Sequence, residues 1–333
     1  MGWIYDSIFE REFNPTTYPD LSQYWRNEGS NLPVGKMGYR RKTLVAGPRL
    51  EVEVYPVFGR EEEARARAIK KNITTEKQKR LNNQRAERYF VQLADANFTD
   101  KDIELTLTYE KHYQPDFEQC RKDVQNFIRR LREYRKKRGL GNPKYLYTIE
   151  GGREKKLGYG VTNFHAHFLM DGQVPRDVIE SIWGKGYANT KRLQPSEDTG
   201  LEELAKYMIK ESKQTGARRG WSQKLTKPQV RSRDVKTSNR VVKAMARDIR
   251  NEAKEEMEKR YPSYKFIDCR VFYSDQIDGV YIRVTMRRRS EHGKQTGRSD
   301  RGIAGAAHEA KLDGGKRQSG NHVRGRGKDH PFA

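Results

Sequence analysis

The feature that most constrains this chain is a short apolar and aromatic segment, residues 164–170, that carries two histidines. Its composition predicts a β-strand, in which alternate side chains point to the same face. His165 and His167 would then project together, while Ala166 and Phe168 point the other way. Such a pair is either two ordinary hydrogen-bonded histidines or two ligands of one metal ion.

A metal site needs a further ligand, and the predicted strand before the histidines ends in Glu150. If the two strands pair as a hairpin, Glu150 lies beside the start of the histidine strand. It would complete a set of two imidazoles and one carboxylate, for which His112 and Glu154 are alternative third members. We expect His165, His167 and Glu150 to hold a divalent ion, Mg²⁺ or Mn²⁺, although zinc would also accept these donors.

The charge of the chain indicates the kind of partner. Among 333 residues, 68 lysines and arginines outnumber 45 aspartates and glutamates, which gives a net charge of +23. A positive excess spread along a chain favours a polyanion such as nucleic acid. No segment offers the roughly 20 apolar residues of a membrane-spanning helix, and the N-terminus does not look like a signal peptide. Cys120 and Cys269 are too few for a disulfide framework, which suits a reducing compartment. Together these observations predict a soluble, cytoplasmic protein without a membrane partner.

The order of predicted elements favours an α+β fold. Strands are predicted over 50–55, 103–109, 145–150, 164–170, 264–274 and 280–287, the last two as a hairpin. Helices are predicted over 61–94 (restarted by a capping box at Thr75), 117–137, 176–183, 198–211 and 241–260. The succession of strand, helix, strand, strand, helix suits an antiparallel or mixed sheet with helices on one face.

Composition divides the chain into three parts. Residues 1–48 are rich in polar residues, proline and glycine, which predicts an irregular N-terminal arm. Residues 49–289 hold the predicted elements and form the expected folded domain. Residues 290–333 are rich in glycine, lysine and arginine with almost no aliphatic pattern, which predicts a disordered basic tail.

A tyrosine on the predicted helix 198–211 stands out. The apolar residues of this helix form one stripe, made by Leu201, Leu204, Ala205, Met208 and Ile209. Tyr207 falls outside the stripe, on the polar side, and Lys210 follows one turn later on that side. An exposed tyrosine beside a surface lysine is common, and the alternative is a nucleophile. A phenol ionises only near pH 10, so a nucleophilic tyrosine needs cations near it, which Lys210 and a metal ion could supply.

Several segments together resemble the rolling-circle replication initiators, the Rep-type HUH endonucleases of plasmids, phages and integrative elements. They are residues 104–109 (ELTLTY), Glu150 before His165-Ala166-His167, Trp183-Gly184, residues 204–210 (LAKYMIK) and residues 221–228 (WSQKLTKP). The stretch 79–98 is similar to the phage-like branch of the family. The resemblance covers roughly residues 75–230.

The resemblance implies a fold and an activity. The fold is a five-stranded antiparallel sheet that carries the two histidines, with a helix that brings Tyr207 across from them. The activity is the nicking of one DNA strand at an origin, which leaves a 5′-phosphotyrosine and a free 3′-OH primer, with Tyr207 and Lys210 as catalytic residues. Glu211 stands where a second tyrosine would follow, so a single-tyrosine mode is implied, with termination by a second subunit or a water.

Nucleic-acid contacts are expected from basic residues on and after the tyrosine helix: Lys206, Arg218, Arg219, Lys224, Lys227, Arg231 and Arg233. The sequence contains no Gly-x-x-x-x-Gly-Lys-Ser/Thr loop, so a host helicase is the expected partner for strand separation. Two other functions fit the same residues. One is a relaxase or transposase with the same chemistry, although relaxases usually carry the tyrosine before the histidines. The other is a basic regulator that binds DNA or RNA without catalysis.

Overall fold

The computed structural model describes residues 2–9, 11–12, 38–113, 115–151, 164–211, 219–274 and 277–289. Its strands, in chain order, are β1 (Arg11–Glu12), β2 (Gly38–Ala46), β3 (Arg49–Val57), β4 (Ile103–Leu107), β5 (Tyr145–Glu150), β6 (His165–Met170), β7 (Ala188–Arg192), β8 (Arg219–Trp221), β9 (Gln229–Thr237), β10 (Tyr264–Tyr273) and β11 (Val280–Arg288). Its helices are α1 (Gly2–Ile8), α2 (Arg60–Lys71), α3 (Thr75–Asn97), α4 (Phe117–Lys137), α5 (Arg176–Trp183), α6 (Glu202–Glu211), α7 (Asn239–Arg247) and α8 (Glu252–Arg260). The predicted α+β class is confirmed.

A five-stranded sheet carries the histidine strand. Its order is β7-β4-β6-β5-β8, and all neighbours are antiparallel, as the resemblance implies. On one face, the alternate β6 residues Ala166, Phe168 and Met170 are buried against α4 and α5. Phe127 of α4 and Trp183 of α5 fill this core, and each such aromatic side chain stabilises the fold by about 1.5–3 kcal/mol. This face is therefore structural.

The opposite face of the five-stranded sheet, which we call the site face, is partly covered by α3 and α6. Leu146 of β5 and Leu169 of β6 lie opposite each other and are fully buried beneath the apolar sides of these helices. His165 and His167 alternate with buried neighbours and share the face of Leu169. Helix α6 consequently lies over the sheet next to the two histidines.

A second, six-stranded antiparallel sheet was not foreseen from the sequence. Its order is β1-β10-β11-β3-β2-β9, and it contains the predicted late hairpin as β10 and β11. One face, with Val52 and Val284 among its buried residues, packs against Met245 of α7 and Met257 of α8. The two helices thus close a separate apolar core.

The other face of the six-stranded sheet meets α3 and α6 through buried charges. Glu51 of β3 accepts hydrogen bonds from Arg49 Nε (2.8 Å), Arg88 Nε (2.6 Å) and Gln92 Nε2 (2.8 Å). Arg49 Nη1 also donates to Glu202 Oε2 of α6 at 2.6 Å. Burial alone would raise the pKa of Glu51, but Arg88 and Arg49 lower it to about 2. Ionised side chains therefore connect the six-stranded sheet to α3 and α6, the helices that cover the site face of the other sheet.

The start of α6 is fixed at the same boundary. Asp95 Oδ1 of α3 accepts hydrogen bonds from the Leu201 N–H (3.1 Å) and from Arg287 Nη1 of β11 (3.3 Å). Gly200 adopts a φ of 65°, and a Cβ at this position would collide with Arg287 and Asp95. Only glycine fits here, so the tyrosine helix starts from a tightly defined point.

Within residues 1–48, the described part of the chain is not the irregular arm expected from the sequence. It contains α1, β1 and β2, and β2 pairs along its whole length with β3. The expected arm followed from the polar, proline and glycine content of residues 1–48, which does not reveal that 38–46 pairs with β3. The three consecutive cations of β2 are all bound locally. Arg40 Nη1 donates to the Asp234 carbonyl (3.3 Å), Arg41 Nη1 donates to the Lys236 carbonyl (3.3 Å), and Lys42 pairs with Glu53 (3.2 Å).

Other predicted boundaries also change. The helix predicted over 241–260 is two helices, because Asp248 Oδ1 accepts the N–H groups of Arg250 (3.0 Å) and Asn251 (2.8 Å) between them. The helix predicted from residue 198 begins at Glu202, after the bridge between Ser196 and Gly200. The side-chain cap of α3 comes from Thr74 and not from Thr75. The predicted tail 290–333 and the alternative ligand Glu154 lie outside the described residues.

Candidate active site

Strand pairing brings the three predicted ligands together. In the β5–β6 ladder Glu150 lies opposite His165, which confirms the assumed hairpin. Glu150 Oε2 lies 3.3 Å from His165 Nε2 and 3.2 Å from His167 Nε2. The two imidazole rings have centroids 4.9 Å apart and are nearly perpendicular, at 80°. Both Nε2 atoms and the carboxylate therefore converge on one point.

His167 is the buried member of the cluster and is held by a threonine. Its Nδ1 lies 3.1 Å from Thr106 Oγ1 on the neighbouring strand β4, where Thr106 is its register partner. Burial lowers the pKa of His167, and the neighbouring His165 lowers it further, whereas Glu150 opposes the shift. A ring that binds a metal ion through Nε2 keeps its proton on Nδ1, and Thr106 Oγ1 is placed to accept that hydrogen bond.

The donor set fits a divalent metal ion. One ligand atom from each of Glu150, His165 and His167 lies within 4.8 Å of the others, and this is the one such group of three found in the described part of the chain. Two imidazoles and one carboxylate leave coordination positions open for substrate oxygens. The alternative ligand His112 is an exposed residue of the turn after β4 and is not part of the group.

Helix α6 presents Tyr207 to this cluster. Leu201, Ala205, Met208 and Ile209 are buried, as the predicted stripe requires, whereas Tyr207 is 55% exposed. The Tyr207 ring centroid lies 6.2 Å from that of His167, with the planes at 73°. A tyrosine that is exposed to solvent and in contact with a candidate metal ligand is accessible to a substrate.

The two lysines predicted on this helix have different surroundings. Lys210 is exposed in the last turn, on the same helix as Tyr207. Lys206, which was expected to contact nucleic acid, forms an ion pair with Glu202, the same carboxylate that accepts from Arg49. Part of the charge of Lys206 is therefore engaged within the helix.

The remaining basic residues of the predicted DNA-binding set are divided between the two sheets. Arg219 is half-buried on β8, and burial lowers its pKa. Lys224 and Lys227 are exposed in the loop that follows β8. Arg231 and Arg233 are exposed on β9, an edge strand of the six-stranded sheet. The seventh member, Arg218, lies outside the described residues.

Strand register identifies neighbours of the site that the sequence did not single out. One row across the five-stranded sheet runs through Asn189, Thr106, His167, Thr148 and Arg219. Thr106 was visible in the threonine-rich strand, but its contact with His167 depends on the pairing of β4 with β6. Thr148 was not singled out, and Trp221 belonged to the segment 221–228 without a known place in the sheet, because no local pattern reveals which strands become neighbours.

Comparison with known proteins agrees with this geometry. A family model described as Replication-associated protein ORF2/G2P matches residues 102–212. Searches of curated proteins and of solved structures gave no match. Among the described residues, no helix has the length and apolar character needed to cross a membrane.

The matched segment contains β4, β5, β6 and α6, and therefore Glu150, His165, His167 and Tyr207. The match supports a role in the initiation of DNA replication and implies DNA binding. It is also consistent with the resemblance to rolling-circle replication initiators. Residues 102–212, one third of the chain, are thus similar to the replication-associated protein ORF2/G2P family.

Proposed function

We propose that this protein is a replication initiator that nicks one DNA strand at an origin by tyrosine transesterification. The observation that supports this most directly is the position of Tyr207, whose ring lies 6.2 Å from the ring of His167 in the Glu150, His165 and His167 cluster. The products would be a 5′-phosphotyrosine link and a free 3′-OH from which rolling-circle replication can start.

In the proposed step, Tyr207 Oη bonds to phosphorus while the bond between phosphorus and the 3′ oxygen breaks. The phenol loses a proton and the leaving 3′ oxygen gains one, so protons and charge balance. One ester replaces another, and the strand can later be rejoined. The Lys210 ammonium, on the same helix, would stabilise the developing phenolate charge.

The cluster of Glu150, His165 and His167 would hold Mg²⁺ or Mn²⁺, which when bound withdraws charge from a non-bridging phosphate oxygen. Thr106 would keep the buried His167 ring in the tautomer that this binding requires. The packing of α6 on the sheet would hold Tyr207 in line with the phosphate, which reduces the entropic part of the barrier. We propose that a host helicase opens the duplex, because the sequence has no P-loop.

The test is the formation of a covalent complex. The protein is incubated with divalent metal and a pool of 3′-labelled single-stranded oligonucleotides of randomised sequence, and the products are separated on a denaturing gel. The downstream fragment keeps the 3′ label, so an adduct appears as labelled protein, and sequencing its DNA gives the preferred site.

Tyr207→Phe should bind DNA without forming the adduct. Tyr264→Phe, on β10 of the other sheet, is the matched control and should form it in parental yield. An adduct of unchanged yield with Tyr207→Phe would assign the nucleophile elsewhere. Salt-sensitive DNA binding without an adduct in the parent protein would instead support a non-catalytic regulator.

A further inference from the structure

Two exposed aromatic side chains flank the candidate active site on the site face. Trp221 of β8 is 43% exposed, and its register partner is Leu146. Tyr187, directly before β7, is 68% exposed and exchanges backbone hydrogen bonds with Thr108 (2.9 and 3.1 Å). Strands β7 and β8 are the two edges of the five-stranded sheet. The histidines therefore lie between one exposed aromatic residue at each edge.

Trp221 is held in position by its neighbours. The ring of Tyr89 on α3 contacts it edge-on, with centroids 5.9 Å apart and planes at 69°. Gly220 allows β8 to approach β5 closely, because a Cβ there would collide with the Tyr147 ring on the opposite face. The glycine thus permits the pairing that sends Arg219 and Trp221 to the site face.

A cation lies between Trp221 and the metal ligands. Arg219 pairs with Thr148, which in turn pairs with His167. Adjacent strands lie about 4.8 Å apart, so Arg219 and His167 are separated by roughly 10 Å across the sheet, within reach of an arginine side chain and one phosphate. The row from the cluster to the edge therefore offers a cation and then an aromatic ring.

We propose that Trp221 and Tyr187 stack unpaired bases of single-stranded DNA on either side of the phosphate that Tyr207 attacks, and that Arg219 binds the phosphate between Trp221 and the metal ligands. The proposal rests on the proposed function for the identity of the bound polymer and for the phosphate that Tyr207 attacks. Stacking on an aromatic ring requires a free base face, which a base pair within a duplex does not offer. These residues would therefore select melted over duplex DNA.

The test separates bases from phosphates. Binding of a fluorescent thymidine dodecamer is compared with binding of an abasic dodecamer of equal charge, by fluorescence anisotropy. All proteins carry Tyr207→Phe, so no cleavage is needed, and the result does not depend on whether Tyr207 is the nucleophile. Leu140→Ala removes an exposed apolar side chain after α4, on the opposite side of the sheet, and serves as the control.

Trp221→Ala should weaken binding of the thymidine oligonucleotide by about 5- to 150-fold and leave binding of the abasic one unchanged. Trp221→Phe should restore most of the loss, and Tyr187→Ala should show the same dependence on bases. Arg219→Gln should weaken both ligands and reduce the slope of log affinity against log salt by about 0.7. Equal losses on both oligonucleotides with Trp221→Ala, or no loss at all, would overturn the stacking proposal. Melting temperatures equal to the parent exclude unfolding as the cause.

Discussion

The contact between Thr106 and His167 allows a sharp test of the metal site, because the sheet supplies its own control. Thr106 on β4 and Thr148 on β5 are both register partners of His167, one on each side. Thr106 Oγ1 lies 3.1 Å from His167 Nδ1. Thr148 Oγ1 is buried and has no hydrogen-bond partner among the described residues. Replacing each threonine by valine removes one hydroxyl and keeps the branched shape.

For Thr106→Val we expect the affinity for Mn²⁺ to fall about 10- to 100-fold, which corresponds to about 1.4–2.7 kcal/mol. A second estimate agrees with this range. His167 is only 7% exposed, so water cannot replace the lost acceptor, and a buried N–H without a partner costs about 1–3 kcal/mol. Thr148→Val should bind Mn²⁺ like the parent and be at least as stable, because it removes a buried hydroxyl that makes no bond.

Titration calorimetry with Mn²⁺ measures the affinity, and thermal unfolding without metal measures the stability of each variant. The reasoning is refuted if Thr106→Val binds Mn²⁺ as tightly as the parent, or if the two valine variants lose equal affinity. In the first case the hydroxyl does not orient His167. In the second, the effect comes from packing around the strand and not from the hydrogen bond.

Three further predictions concern the cluster and the buried charges. Glu150→Gln should weaken Mn²⁺ binding about 10- to 100-fold, and excess Mn²⁺ should partly restore nicking. If calorimetry gives the variant the same affinity for Mn²⁺ as the parent, Glu150 is not a ligand. Glu51→Ala leaves Arg49 and Arg88 without their shared carboxylate. The free energy of unfolding, measured by urea melts, should fall by about 3–5 kcal/mol. A loss below about 1 kcal/mol would contradict a stabilising role for these buried ion pairs. The pKa of Glu51 is lowered from 4.5 to about 2, so the stabilisation by its carboxylate is present above pH 4.5 and disappears as the pH falls towards 2. Over this interval the free energy of unfolding of the parent should fall by up to about 3 kcal/mol more than that of Glu51→Gln. Parallel curves of unfolding free energy against pH for the two proteins would contradict the shift.

The sequence predicts the local parts of the site well, because they depend on short-range periodicity. The alternation in 164–170 predicts which face His165 and His167 share, and the helical stripe places Tyr207 outside the buried side of α6. The Glu150 position required only that two consecutive strands form a hairpin, which is the most frequent arrangement of neighbouring strands.

The six-stranded sheet could not be predicted in the same way, because its pairing is non-local and its charges are unusual. The segment Leu50-Glu51-Val52-Glu53-Val54 alternates as if Glu51 and Glu53 faced water. Both are buried, since Arg88 of α3 reaches them from a distant part of the chain. An alternating pattern predicts which residues share a face of the sheet, but it does not predict which other part of the chain covers that face.

The boundary between the two sheets bears on how this protein can be divided. The family match ends at residue 212 and begins at 102, so a fragment cut to these limits would lose α3, β3 and β8. Without α3, Leu146 and Leu169 would lose part of their cover, and without β3, Glu202 at the start of the tyrosine helix would lose Arg49. The segment matched by the family model is therefore smaller than the packed unit around the site, and we expect a transplant of the site into another protein to need α3 and the six-stranded sheet as well.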